Sequence, residues 1–500
     1  MSSPSPQQTY SPSSLELDAP RVSRSRLVLR AVTESEGPDT GGGILLPGVP
    51  TSDTLRGPLP RIEVIEPPAN RLIDLIKAHY PAYEKRTPLP DHVRHAVQTV
   101  QYCHTDALGG HVERCPDGHI SRIFYNSCGH RCCPRCAGRQ RRQWLLHRRA
   151  KLLPVRHYHA VFTLPHAFND VWRLNFQLLG NLLFHTSTDS LRALLADPPW
   201  LGAAPGITVT LETWDDRLCF HPHVHCLVTG GGLTPEGTWK DAPNPRCLVA
   251  VSPLMWEFRK RFCQGLKEAL EQDTLRLPEG TTVRQWLNRV NKANRQNWEV
   301  FIAKPPEEGG PTTEELVRYQ AENVAGGPLS GDRLLSVPEF STTQLAYLKS
   351  APLSDTRLED APEGRVSFCW GAYDPETGRR ERTQVETLPV SEFLRRYLQH
   401  IPPSGYQTVR HYGVYTSANK AAYERCRACL SDRTSDALPS GADDAADTDS
   451  WVQQHTCPVC GTPLLVSSYL PSSLTGNVLP RVPIGHVFAP GSSLRGGHDP

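Results

Sequence analysis

Apolar and polar positions follow two periods along the middle of the chain. Helical spacing runs through Arg71–Lys77 and through Asp91–Val100, which Pro90 and Asp91 open. It returns in Val171–Leu195, Pro253–Gln272, Thr282–Asn297, Pro311–Gly327, Val390–His400 and Lys420–Leu430. Between these lie short β-branched and aromatic runs that read as strands. They are His157–Pro165, Ile207–Glu212, the stretch from Leu218 to a glycine run at Gly230-Gly231-Gly232, Trp298–Lys304, the pair Arg365–Trp370 and Arg380–Leu388, and Thr408–Tyr415. Arg61–Pro68 reads as a short strand or a loop.

The strand after Leu218 carries the most chemistry. It reads Cys219-Phe220-His221-Pro222-His223-Val224-His225-Cys226-Leu227-Val228. Side chains alternate faces along a strand, so His221, His223 and His225 point the same way. Neutral imidazoles on one face of a rigid strand make a preset half-site for a divalent metal. The Pro311–Gly327 helix is capped by Thr312 or Thr313, has Glu314 and Glu315 in its first turn and stops at Gly326. Tyr319 and Asn323 are one turn apart on one of its faces.

The fifteen cysteines are clustered, six between Cys103 and Cys136 and four between Cys426 and Cys460. In a cytosolic chain such clusters mean metal sites and not disulfides. The first group offers Cys103, His111, Cys115, His119, Cys128, His130, Cys133 and Cys136. A Cys-Pro-x-Cys knuckle sets two thiolates on one tetrahedral ion, so these residues suit one or two zinc ions. Cys132 reads as a bystander. Cys426-Arg427-Ala428-Cys429 with Cys457-Pro458-Val459-Cys460 reads as a zinc ribbon across an acidic spacer.

Net charge is +2, but it is unevenly spread. Gln101 to Lys151 holds ten Arg or Lys against three acids, while Ser431 to Ser450 holds six Asp against one Arg. The first knuckles run into a helix with Arg139, Arg141, Arg142, Arg148 and Arg149, a face suited to phosphate. Lys304 and Arg410 are further candidate phosphate contacts. Hydrophobic residues make up 38% and no apolar run reaches membrane-spanning length. Met1-Ser2-Ser3-Pro4-Ser5-Pro6 has neither the basic start nor the apolar core of a secretory signal, so a cytoplasmic, membrane-free protein is expected.

A histidine strand, a tyrosine helix and a basic zinc module point to one reaction type. A tyrosine hydroxyl attacks a phosphodiester, and a divalent ion polarises the phosphate. His223-Val224-His225 fits the HUH motif, two histidines around a bulky apolar residue. Its order with the zinc knuckles, Val161-Phe162-Thr163-Leu164-Pro165, Gly230-Gly231-Gly232, Ala303-Lys304-Pro305-Pro306, the tyrosine helix and Arg410-His411-Tyr412-Gly413 resembles the bacterial rolling-circle insertion-sequence transposases. That family includes the ISCR elements and is related to helitrons. The resemblance covers about Arg71 to Cys460.

The resemblance implies an α+β fold with a ferredoxin-like HUH nuclease core, the histidine pair lying on a central strand of an antiparallel sheet. It implies nicking and rejoining of single-stranded DNA at the element ends through a 5′-phosphotyrosine, Mg²⁺ or Mn²⁺ at the histidines and zinc at the knuckles. By position Tyr319 is the nucleophile and His223 and His225 are metal ligands, with Asn323 or His221 as the third. Two-tyrosine relatives have a second tyrosine four residues on, where this chain has Asn323. Two other readings share the motifs: a catalytically decayed or domesticated zinc DNA-binding protein, and a plasmid replication initiator or relaxase with the same chemistry. The expected domains are a disordered tail (1–60), a zinc and DNA-binding domain (61–152), the nuclease domain (153–425, with a loop insertion at about 341–363), the zinc ribbon (426–466) and a tail (467–500).

Overall fold

The computed structural model describes residues 61–65, 71–304, 306–324, 358–361, 365–372, 382–431, 433 and 453–473. The tail expected at 1–60, most of the loop insertion at 341–363, most of the acidic spacer and the end of the final tail lie outside the described residues. In chain order the elements are β1 (Arg61–Ile65), α1 (Arg71–Glu84), α2 (Asp91–Gln101), β2 (Gly110–Arg114), β3 (Ile120–Tyr125), α3 (Pro134–Lys151), β4 (His157–Thr163), α4 (Asn169–Leu174) and α5 (Phe176–Ala196). There follow β5 (Gly206–Trp214), β6 (Phe220–Thr229), β7 (Gly231–Leu233), β8 (Trp239–Asp241), α6 (Val251–Glu271), α7 (Val283–Ala293), β9 (Val300–Ile302) and α8 (Thr313–Val324). The last are β10 (Leu358–Ala361), β11 (Arg365–Ala372), β12 (Arg382–Pro389), α9 (Val390–Leu398), β13 (Val409–Gly413), α10 (Lys420–Cys429) and β14 (Leu465–Leu470). The helix expected from Val171 to Leu195 is broken into α4 and α5 at Asn175. The side-chain amide of Asn175 donates to the carbonyls of Val171 and Arg276, and its oxygen accepts from the Arg276 amide.

The central sheet has the order β13-β5-β6-β4-β9, and every pairing is antiparallel. Its two faces differ in chemistry. Ile207, Val209 and Leu211 of β5, Val224, Cys226 and Val228 of β6, and Ala160 and Phe162 of β4 enter one apolar core. That core includes Leu183 and Leu191 of α5, Phe258 and Phe262 of α6, and Trp286 of α7. Alternation then sends Thr208, Thr210, Glu212, His223 and His225 to the opposite face. Helix α8 covers that face, where Leu316 and Val317 pack on Leu227. The sheet is therefore buried on both sides, and its buried polar groups must find partners within the protein.

Helix α8 is fixed at its start. Thr312 and Glu315 form reciprocal capping bonds: the Thr312 amide donates to Glu315 Oε2 at 2.8 Å and the Glu315 amide to Thr312 Oγ1 at 3.3 Å. The His157 amide donates to Thr313 Oγ1, joining the helix to β4.

A second sheet has the order β1-β3-β2-β14, with β1 parallel to β3 and the other pairs antiparallel. Strands β2, β3 and β14 were not expected from the sequence, because they are short and interleaved with cysteines and histidines. β14 crosses the boundary expected at 466 between zinc ribbon and tail, and its residues Leu465–Leu470 join the N-terminal sheet. Helices α1 and α2 share a core with Phe368 and with Phe393, Leu394 and Tyr397 of α9. The strands β10, β11 and β12 form an antiparallel sheet, so the two expected strands at 365–388 do pair. Among the described residues no helix is long and apolar enough to cross a membrane.

Candidate active site and metal centres

The β5–β6 hairpin builds the central site. Its register sets Glu212 opposite His223 and Thr210 opposite His225. Glu212, His223 and His225 are buried, and one ligand atom from each lies within 4.8 Å of the others. Glu212 Oε1 is 3.0 Å from His225 Nε2, and Glu212 Oε2 is 3.6 Å from His223 Nε2. Tyr319 Oη approaches from α8 to 3.2 Å from the same His225 Nε2. His159 of β4 holds the other ring nitrogen, with its Nε2 2.8 Å from His225 Nδ1. His223 Nδ1 donates to the His221 carbonyl at 2.7 Å. Both histidines thus turn Nε2 toward the carboxylate, with Nδ1 held from behind, the usual arrangement of an oriented metal ligand.

Burial by itself would raise the Glu212 carboxyl, but the facing His225 and His223 outweigh it and hold it down at about 2. At His225 burial wins and its value is lowered. At His223 burial also lowers, yet the hydrogen bond and charge of Glu212 outweigh it and the net shift is upward. A buried carboxylate beside two imidazoles is a donor set suited to a divalent cation.

Glu212 was missed by sequence reasoning. It is the lone acid of a β-branched strand one turn before the histidine strand, and pairing the two strands across the turn at Asp215-Asp216 would have put it beside His223. The expected third group, His221, stands next to the site, its ring 5.2 Å from that of His223, but its Nδ1 is 3.1 Å from His166 Nε2 and it is not in the close Glu212–His223–His225 grouping. Asn323 is in α8 one turn after Tyr319, but its side chain lies outside the described residues. Tyr412 of β13 packs against the apolar core, on the face of the sheet opposite His223 and His225.

Two thiolate-bearing clusters stand in the N-terminal region. One joins Cys103, Cys128, Cys133 and Cys136, all buried. Cys136 Sγ lies 3.6 Å from Cys103 Sγ and 3.7 Å from Cys128 Sγ. The surrounding thiols hold Cys136 far below the ordinary thiol range and push Cys128 and Cys133 up. Four sulfurs this close cannot all be thiolates without a cation between them, so the set fits zinc. The other cluster joins Cys115, His119, Cys457 and Cys460.

The remaining expected zinc ligands are engaged otherwise. His111 Nε2 is 3.1 Å from Glu113, with its ring stacked on Phe124. His130 Nδ1 accepts from the Cys132 amide. Cys426 is buried with Leu153, Val414, Tyr415 and Leu430, and Cys429 Sγ donates to the Gly237 carbonyl. Helix α10 packs this pair against another part of the protein and separates it from Cys457 and Cys460.

The basic helix α3 is only partly a surface. Arg139 and Arg142 are exposed and Arg141 is half-buried. Arg148 is buried with its guanidinium 4.2 Å over the Tyr415 ring, and Arg149 pairs with Glu314 of α8. Lys304 is exposed. Arg410 is half-buried, with its guanidinium 4.2 Å over the Phe184 ring, and donates to Asn181 Oδ1.

The class is thus a zinc-bearing protein with a buried carboxylate–histidine centre faced by a tyrosine. Residues 75–164 match the family model of a transposase zinc-binding domain, and residues 206–343 and 342–422 match that of a putative transposase. The putative transposase y4qJ of Sinorhizobium fredii (strain NBRC 101917 / NGR234) is 35% identical over 348 residues, 68% of this chain and 79% of that one. The transposase for insertion sequence element IS801 of Pseudomonas savastanoi pv. phaseolicola is 29% identical over 317 residues, 62% of this chain and 67% of that one. No solved structure matches the chain. The chain belongs to the IS91 family of insertion-sequence transposases.

Proposed function

We propose that this transposase nicks and rejoins single-stranded DNA at its element ends by the rolling-circle route, with Tyr319 as nucleophile on an HUH nuclease core. The observation that carries the reading is the Tyr319 hydroxyl 3.2 Å from His225 inside the Glu212–His223–His225 cluster. The Tyr319 oxygen gives its proton to solvent water and forms a bond to the phosphorus. The P–O3′ bond breaks, and the released oxygen takes a proton to leave a free 3′-hydroxyl. The product is a 5′-phosphotyrosine, and attack by a 3′-hydroxyl reverses the step to rejoin DNA. Glu212, His223 and His225 are the residues that would hold Mg²⁺ or Mn²⁺, which supplies charge stabilisation at the phosphate when bound. Cys103, Cys128, Cys133 and Cys136 hold one structural zinc, and Arg139 and Arg142 of α3, with Lys304, meet DNA phosphates. The sheet order, with the histidine strand at its centre and α8 across its polar face, supports the ferredoxin-like assignment.

The test is a covalent-trapping assay. Labelled single-stranded DNA from the element ends is mixed with protein and Mn²⁺, and an SDS-stable adduct is mapped by mass spectrometry. An adduct on Tyr319 that disappears in Tyr319→Phe and in His223→Ala with His225→Ala supports the reading. An adduct that persists in Tyr319→Phe overturns the nucleophile.

A further inference from the structure

The N-terminal half of the chain supplies only half of its second thiolate cluster. Cys115 Sγ lies 3.6 Å from His119 Nδ1 and 3.5 Å from Cys460 Sγ, and Cys457 Sγ lies 3.9 Å from His119 Nδ1. A tetrahedral zinc with its usual bond lengths gives edges of about 3.8 Å between sulfurs and about 3.6 Å between sulfur and nitrogen. These three separations lie within about 0.3 Å of those edges, and all four ligand atoms lie within 4.8 Å of one another. Each pair sits on a tight turn. The Gly118 amide donates to the Cys115 carbonyl and the Gly461 amide to the Cys457 carbonyl, both glycines being at positive φ.

Independent contacts bring the same two segments together. β14 pairs antiparallel with β2, beginning with Leu465 opposite Arg114. Arg122 Nη1 donates to the carbonyls of Gln453, Gln454 and Thr456. Glu113 Oε1 lies 3.1 Å from His111 and 2.8 Å from His455, and Phe124 stacks against both rings. Yet β14 buries little. Leu465 is 60% and Tyr469 75% exposed, so apolar burial does not hold this edge strand.

From this juxtaposition we infer that Cys115, His119, Cys457 and Cys460 bind a second structural zinc, a Cys3His site that staples residues 453–470 onto the N-terminal sheet. Its ligands come from positions 345 and 338 residues apart, so the whole nuclease sheet lies in sequence between its two halves. The site closes only when the chain has been made past Cys460. Metal binding then supplies docking free energy that the exposed strand lacks.

The experiment measures zinc per chain on the purified full-length protein after dialysis against Mg²⁺. One zinc is expected to be lost in Cys457→Ser with Cys460→Ser, and also in Cys115→Ser, while Cys426→Ser with Cys429→Ser loses none. A protease site inserted between Cys429 and Cys457 gives a second reading. After cleavage the C-terminal fragment stays with the body in the zinc-loaded protein and comes off in the Cys457/Cys460 variant. Zinc content unchanged by that variant overturns the staple. Should the double variant fail to fold, cobalt-substituted His119→Cys still decides: the thiolate-to-cobalt absorption rises by one sulfur's share if His119 is a ligand, and an unchanged band overturns it.

Discussion

Arg149 of α3 donates to Glu314 of α8, tying the basic helix that follows the thiolate clusters to the helix that carries Tyr319. Both side chains are 14% exposed, and Glu314 also accepts from Arg318. Trp144 and Leu145 of α3 pack beside Leu316 and Val317 of α8 in the same contact. The zinc-bearing region therefore helps to set where the tyrosine stands. Glu314→Ala leaves Arg149 and Arg318 without their carboxylate and is expected to cost about 1–2 kcal/mol of stability. It is also expected to slow adduct formation on Tyr319 more than it weakens DNA binding. Denaturant unfolding and single-turnover trapping measure the two effects. An adduct rate equal to that of the unaltered protein would show that the pair does not position α8.

Glu212 distinguishes a metal-holding carboxylate from a structural one. Glu212→Gln keeps the shape and a hydrogen-bonding oxygen but removes the charge facing His223 and His225. Adduct formation is expected to fall by about 100-fold or more at fixed Mn²⁺ and to recover partly as Mn²⁺ is raised, since removing even supporting groups of a metal site weakens binding by roughly 10–100-fold. DNA affinity in chelator should stay the same. A rate insensitive to the metal concentration in this variant would count against the assignment.

The arginines of α3 should separate into two classes. Arg139→Ala, at an exposed position, is expected to weaken single-stranded DNA binding and to lower the salt slope by about 0.7. Arg148→Ala is expected to leave that slope unchanged and to lower the unfolding midpoint, because the buried guanidinium packs on Tyr415. Salt titrations of both variants check this, and equal slopes would return Arg139 to the solvated surface.

Acid should destabilise the protein through two buried imidazoles. His157 lies 2.8 Å from the Tyr415 hydroxyl and donates from Nδ1 to the Val155 carbonyl, and His400 lies between Thr213 and the Leu218 carbonyl. Burial lowers each from 6.5 to about 3. Between those values the unfolded chain binds the protons and the folded chain does not, so stability rises with pH and falls as the pH drops below 6.5. The loss by pH 5.5 is about 3 kcal/mol for the two together. Denaturant unfolding at pH 7.5 and 5.5, compared between the zinc-loaded protein and His400→Phe, measures it. A variant with the same pH slope would remove His400 from the account.

Much of the central site was legible in the primary structure, because its signals are local. Period-two alternation put His223 and His225 on one strand face, and the threonine–glutamate cap and glycine stop located the tyrosine helix to within a few residues. Cys133 and Cys136 declared themselves by their knuckle. Alternation along Ile207–Glu212 puts Glu212 on the polar face of β5 with Thr208 and Thr210, but nothing local ties that face to the histidine strand. Only strand pairing put its carboxylate across from His223.

Local spacing paired Cys426 and Cys429 with Cys457 and Cys460, whereas the structure groups Cys457 and Cys460 with Cys115 and His119. Cys426 and Cys429 have the right separation for a knuckle, but α10 turns Cys426 into an apolar core. The ligands of a tetrahedral site are chosen by proximity in space, and β14 brings Cys457 and Cys460 to Cys115 and His119 from more than three hundred residues away. The same holds for Arg148 and Arg410, whose charge the sequence displays and whose stacking on aromatic rings only the tertiary packing decides. The residue types and their local periods come from the chain itself. Which of them share a site is a long-range matter, decided by strand register and by the helices that cover the sheet.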